Sequence, residues 1–243
     1  MCKQIALSKR MQAVADMVSS GNRVCDVGCD HGYVSIYLYQ RGIAPCVLAM
    51  DINKGPLSKA KEHVRKFKVE DYITLRLSNG LTAYHIGEAD TLLCAGMGGR
   101  LLMDILRKEP EKTADFKELV LQPQSEIPLV RKFLREKGYV FLREDMILEE
   151  GKFYVVMKVR PSEDLTAEKS AEGSFEMEDL LGGLLLKQKH PVLLQYIEKE
   201  IPLKQEILVK LEEHEYSDKT RKRKEQLLKE LELLGKAKKL LKE

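Results

Sequence analysis

The sequence predicts an α/β fold in two parts: a mostly parallel sheet covered by helices, then an α-helical coiled-coil hairpin. Two observations carry this. Short apolar, β-branched runs (RVCDV, CVLAMDI, YITLRL, DTLLCAG, ELVLQP) alternate with helix-like segments (GPLSKAKEHVRKF, GRLLMDILRKE, EIPLVRKFLREKG), and such alternation builds a parallel sheet buried on both faces. Past the polar stretch PSEDLTAEKSAEGSFEMED, leucine and isoleucine recur at three- and four-residue steps in a charged background, as paired amphipathic helices require. The expected organisation is a sheet domain over 1–160, a linker over 161–175 and a helical hairpin over 176–243.

In chain order, apolar residues at helical spacing from Leu7 to Val18 predict a first helix that ends at SSGN. Val24 to Val27 close a first strand, Gly28 to Gly32 turn, and Tyr33 begins a helix. YVFLREDMILEEGKFYVVMKVR reads as two long strands joined at a Glu-Gly turn, an antiparallel edge on the sheet. In the hairpin, Leu203, Ile207, Leu208 and Leu211 and, after HEYSDK, Leu227, Leu231, Leu234 and Leu241 are the expected seam. Pro191 and Pro202 mark helix starts or kinks.

Composition narrows the function classes. Over 243 residues, 44% hydrophobic and 33% charged, no apolar run approaches a bilayer span. The N-terminus is amphipathic without a cleavable signal, so a cytoplasmic protein with no membrane association is expected. Five cysteines without a CxxC pair fit a reducing compartment. The net charge of +3 leaves a polyanionic partner to be decided by where charge is placed.

The chemistry gathers at strand ends. The first turn reads Asp-x-Gly-x-Asp-x-Gly, from Asp26 and Gly28 to Asp30 and Gly32. Asp30 stands where a dinucleotide fingerprint has glycine; its carboxylate repels a pyrophosphate and accepts a cation. S-adenosyl-L-methionine, a sulfonium and ammonium ligand without phosphate, fits that pattern. Asp51, followed by Ile52, closes the second strand at the distance expected for a ribose-binding acid. Asn79 and Gly80 follow the third strand, where an adenine edge is met, and Gly96, Met97, Gly98 and Gly99 end the fourth, leaving room for a methyl group and its acceptor. A degenerate glycine turn alone is only a tight turn; four clusters on one sheet edge point to a cofactor site. Cys25, Cys29 and His31 could be zinc ligands, but Cys25 lies within a strand and no fourth ligand has suitable spacing, so no metal is expected.

LSKRM, DVGCDHGYVSIYL, SNGLTAY, AGMGGRLL, LVLQP and EEGKFYVV occur in that order. On these stretches, which run to about Arg160, the chain resembles the bacterial tRNA (adenine-22-N1)-methyltransferase family. The resemblance implies a Rossmann-like S-adenosyl-L-methionine-dependent methyltransferase domain, a coiled-coil domain, and methylation of N1 of adenine 22 in tRNA. It implies cofactor binding by Asp26, Gly28, Asp51, Ile52, Asn79, Gly80 and Gly96. Asp30, His31 and Tyr33 would orient the target base or stabilise its charge, Met97 and Gly98 would frame it, and Gln122 would meet its hydrogen-bonding edge. Lys9, Arg10 and Arg100 near the mouth, and Arg221, Lys222 and Arg223 in KTRKRK, would meet tRNA phosphate, or else are solvated helix charges. The family commonly has alanine at Gly32, proline at Ser35, glutamate at Asp51 and LQPN where this chain has LQPQ. A monomer is expected. The alternatives are a methyltransferase for another RNA or a small molecule, and a non-catalytic RNA-binding protein with this fold. A long basic extension argues against the small substrate, and intact Asp26, Asp51 and AGMGG argue against lost catalysis.

Overall fold

The computed structural model describes residues 4–162, 175–212 and 217–243, in two compact units, Met1–Ala171 and Glu172–Glu243. Most of the expected linker (163–174) and residues 213–216, which include the first half of the HEYSDK break, lie outside the described residues.

The strands of the first unit are β1 (Val24–Val27), β2 (Val47–Asp51), β3 (Ile73–Leu77), β4 (Thr91–Met97), β5 (Glu118–Pro123), β6 (Tyr139–Glu149) and β7 (Lys152–Pro161). Among the described residues they form one sheet in the order β3-β2-β1-β4-β5-β7-β6. The first five strands run parallel, and β7 and β6 add the antiparallel edge expected of the hairpin. Its turn holds both Glu150 and Gly151 at positive φ, 49° and 73°, the conformation that matches a tight turn to strand twist.

Every residue of β1, β2 and β5 is buried, which is why these strands read as unbroken apolar runs. Their polar members are therefore exceptions that need partners. Glu118 has a structural set: its carboxylate accepts from Ser19 N (2.8 Å), Ser19 Oγ (2.7 Å) and Thr91 Oγ1 (2.9 Å) and pairs with Lys158 at 2.8 Å. Asp26, Asp51 and Gln122 are the others, and they lie at the carboxyl ends.

Helices α1 (Lys9–Ala15), α2 (Tyr33–Gln40), α3 (Lys54–Phe67), α4 (Gly99–Lys108), α5 (Pro110–Ala114) and α6 (Ile127–Glu136) complete this unit. α1 starts at its Ser8 cap and stops at Ala15, inside the expected Leu7 to Val18 span. The short α5, with Pro110 at its start, has too few turns to show a period.

The second unit contains α7 (Glu176–Leu181), α8 (Gly183–Lys187), α9 (Pro191–Glu212) and α10 (Asp218–Lys242). α9 and α10 run antiparallel, since Lys204 pairs with Glu230 (2.7 Å) while Glu198 reaches Lys238 and Lys242 (3.5 and 3.1 Å). Leu193 and Ile197 of α9 and Leu227, Leu234, Ala237 and Leu241 of α10 are buried. The expected seam needs one correction. Leu203 and Ile207 are 43% and 42% exposed, whereas Lys204 and Leu208, one position on, are half-buried and lie seven and eleven residues after Ile197, on its face of the helix. Pro191 starts α9, whereas Pro202 lies inside it. No helix among the described residues is long and apolar enough to cross a membrane.

Candidate cofactor and base site

From β1 the chain steps outward through β2 and β3, then returns to β4 on the other side of β1. Loops leave in opposite directions at such a reversal and open a crevice at the carboxyl ends of the strands. A cavity of about 420 Å³ lies there, lined by Asp26 of β1, by Gly28, Asp30, His31 and Tyr33 after it, and by Ala95 and Gly96 of β4. Ser8, Arg10 and Met11 of the N-terminal segment form another wall.

The β1 turn is built on close approach. Gly28 has φ 77°, and a Cβ there would lie 3.2 Å from Met97 Cε, so a side chain would press Met97 and narrow the cavity. The N–H groups of Gly28 and Cys29 donate to the Met50 carbonyl (2.8 and 3.0 Å), holding the turn against β2. The Asp51 carboxylate accepts from Asp30 N (3.2 Å) and Asn53 N (2.8 Å), and its carbonyl accepts from Ser78 N (2.9 Å). Three strand-end clusters are thus joined through one aspartate. Asn79 is exposed, its carbonyl accepting from Thr82, and Ile52 is 57% exposed, an apolar surface at the end of β2.

Asp26 is buried, and its carboxylate accepts from Ser35 Oγ at 2.6 Å. Burial pushes its pKa up to about 6; the Ser35 bond opposes this and the charge of Asp51 adds to it. Serine stands here where the resembling family commonly has proline. Gly32, where alanine is common, has φ 73° and caps α2, so it relieves backbone strain there and does not cost helix propensity.

At β4 the pairing with β5 slips between Ala95 and Met97, and Gly96 sits in the slip with φ 78°, a bulge of the kind that re-aims a strand end beside a site. Gln122 holds it. The Gln122 Oε1 accepts from Gly96 N (3.1 Å) and from Arg10 Nη1 (2.8 Å), and its Nε2 donates to the Pro123 carbonyl (3.1 Å). Gln122 is fully buried with both ends of its amide engaged, which corrects the expectation that it meets the target base. Arg10, half-buried and lining the cavity, donates from Nη1 to that amide, and its guanidinium lies 5.0 Å from the centre of the Tyr154 ring. Gln124, the residue at which LQPQ departs from LQPN, lines the cavity. Gly98 precedes α4, and a Cβ on Gly99 would collide with the Ser125 carbonyl oxygen and lie 2.9 Å from Val130 Cγ2.

A third group was not legible as a motif. His63, from α3, stacks on Tyr33 with ring centres 4.6 Å apart and planes at 23°. Its Nδ1 lies 2.9 Å from the His31 carbonyl oxygen, and its Nε2 lies 3.3 Å from the Tyr33 hydroxyl. His31 packs edge-on to both rings, with its Nε2 3.6 Å from Asp30 Oδ1. A lone histidine on a charged amphipathic helix carries no sequence signal, and only the fold brings it to the β1 turn.

A methyltransferase-domain family profile matches residues 7–157. The tRNA (adenine(22)-N(1))-methyltransferase of Bacillus subtilis is 30% identical over 231 residues, 95% of this chain and 96% of that protein. The chain belongs to the tRNA (adenine(22)-N(1))-methyltransferase family. The crystal structure of the B. subtilis m1A22 tRNA methyltransferase superposes with a TM-score of 0.86 at 29% identity, covering 97% of this chain and all of that one, 100%. A Streptococcus pneumoniae protein solved in complex with S-adenosyl-L-methionine gives 0.81 at 28% identity, covering 96% and 100%.

For a family that acts on tRNA, the state of the basic residues matters. Lys9 is exposed and has no ion pair among the described residues. Arg100 pairs with Glu126 at 2.8 Å, Arg221 with Asp218 at 3.3 Å and Arg223 with Glu230 at 3.9 Å, so each is partly neutralised. Lys222 is exposed.

Proposed function

We propose that this chain transfers the methyl group of S-adenosyl-L-methionine to N1 of adenine 22 in tRNA. The observation that carries the reading is the convergence of Asp26, the Gly28 turn, the Asp51 network and the Gly96 bulge on the crevice where the strand order reverses. These residues fit the donor. A buried carboxylate at Asp26 with one hydroxyl partner is stabilised by a cation beside it. Asp51 keeps acceptor capacity for ribose hydroxyls, Ile52 offers an apolar surface to the adenine ring, and Asn79 and Gly80 border the same edge.

The methyl donor supplies an electrophilic methyl group on a sulfonium. Adenine N1 attacks with an in-plane lone pair and needs no deprotonation, and the product ring is cationic. The protein's tasks are to hold N1 in line, exclude water and balance the charge that moves onto the ring. Gly96 leaves space for the approach, and Gln122 fixes the bulge that makes that space. Tyr33, held by His63, provides an aromatic ledge for a base that has left its stack, and Asp30 and His31 lie beside it. On this reading residues 1–160 carry the chemistry, and the helical part, 176–243, contributes tRNA contacts through Lys222 and the partly paired Arg221 and Arg223. The enzyme acts as a monomer in the cytoplasm.

The test is incubation of the full chain with unmodified tRNA and labelled S-adenosyl-L-methionine, followed by nucleoside mapping. N1-methyladenosine at position 22 is expected, with none in a tRNA carrying guanine there. Intact cofactor binding without transfer to any tRNA would sink the reading.

A further inference from the structure

Helix α3 carries a line of cations that the site does not use. From Lys54 to Lys68 there are six basic residues against one acid, Glu62. On the helix itself Lys54, Lys59, Lys61, Arg65 and Lys66 are all exposed, and none has an ion-pair partner among the described residues. α10 differs: its Arg221, Arg223, Lys229, Lys236, Lys238 and Lys242 each pair with a carboxylate. Among the described residues α3 thus carries five exposed cations without an ion pair in 14 residues, against Lys219, Lys222 and Lys239 in the 25 residues of α10.

It is also ordered. Lys54, Lys61 and Arg65 stand seven and then four residues apart, which puts them on one helix face over about 16 Å. They rim a groove of about 690 Å³ between α3 and edge strand β3, with an apolar floor that includes Leu57, Ile73 and Leu75. Glu70 is the single acidic residue among those lining it. One end of the groove lies at the site: Lys54 follows Asp51 by three residues, and Leu77 immediately precedes Ser78, whose N–H binds the Asp51 carbonyl.

We propose that the α3–β3 groove is a track for the sugar-phosphate backbone of the tRNA whose base enters the site, an inference that rests on the tRNA reading above. Unpaired, exposed ammonium and guanidinium groups in a row exchange counterions for phosphates, the term that dominates nucleic-acid affinity. The shallow apolar floor accepts ribose faces without demanding a base sequence. Because the groove belongs to the same unit as the site, it sets the register of the RNA relative to the reacting methyl group.

The test uses the full chain with the charge-reversed pair Lys61→Glu/Arg65→Glu and the neutral pair Lys61→Gln/Arg65→Gln, neither of which touches the site. In the reversed pair the KM for tRNA is expected to rise about tenfold or more, and the slope of log affinity against log salt to shrink by about two. The cofactor Kd and the kcat at saturating tRNA stay at their unaltered values. The neutral pair moves KM and slope in the same direction by less. Unchanged KM and slope in both variants, with the unaltered chain active, overturn the groove alone. A raised KM accompanied by lost cofactor binding also overturns it, since that marks a distorted site. An unaltered chain that methylates no tRNA overturns the functional reading and the groove together.

Discussion

Asp26 shows how one buried side chain links the turn to pH. Its folded pKa, pushed up to about 6 by burial, lies above the ordinary 3.8. The folded chain therefore holds a proton that the unfolded chain releases between these values. Taken alone, this group's contribution to stability is full below the unfolded pKa and falls as pH rises through about 6. A cation bound beside the carboxylate reverses the preference, so cofactor affinity is expected to increase about tenfold from pH 5 to 7, read by calorimetry. Asp26→Asn should flatten that dependence while its amide can still accept from Ser35; an Asn variant with the original slope would assign the titration to another group. His63 makes a second case. His63→Ala removes the stack under Tyr33 and the contact with the His31 carbonyl, so kcat is expected to fall about tenfold with the cofactor Kd within twofold. His63→Phe, which keeps the stack, should restore part of the rate; loss of cofactor binding in both variants would show that His63 only maintains the fold.

Glycines in two helices separate conformational from steric demands. Gly99, at the start of α4, has no room for a methyl group against the Ser125 carbonyl and Val130, whereas a Cβ on Gly55 in α3 meets nothing within 4 Å. Gly99→Ala is expected to destabilise by about 1–3 kcal/mol through overpacking, and Gly55→Ala to stabilise by about 0.5–1 kcal/mol through helix propensity; urea unfolding of each variant checks both signs. At this scale the sheet was legible because β1, β2, β4 and β5 are apolar runs of strand length, and the strand-end acids and glycines stood out against them. The bulge at Gly96 was not, since a register slip depends on the partner strand, and the sequence does not show Gln122 turning back to hold it. In α9, apolar residues occupy two faces, so spacing alone favoured Leu203 and Ile207, and only packing against α10 selects the face that carries Ile197 and Leu208.

Division of labour between the two units follows from where function-bearing groups lie. Among the described residues, those that line the crevice and the hydrogen bonds of the Asp51 network and the Gly96 bulge belong to the first unit. The second unit is a helical assembly whose seam includes the Lys204–Glu230 pair and whose surface carries exposed Lys222 among partly paired arginines. Cofactor binding should therefore be indifferent to the second unit, while tRNA binding should draw on both units, with α3 as the stronger source of unpaired charge. Removal of residues 176–243 is expected to leave the Kd for S-adenosyl-L-methionine within about twofold and to weaken tRNA binding about tenfold, corresponding to roughly 1.4 kcal/mol. Charge reversal on α3 in the truncated chain should reduce tRNA binding further, because phosphate contacts on separate surfaces contribute nearly independently. Filter binding at two salt concentrations distinguishes the contributions. A truncated chain with unaltered tRNA affinity and an unaltered salt slope would place all of the productive RNA contact on the methyltransferase unit and leave the hairpin with a structural role.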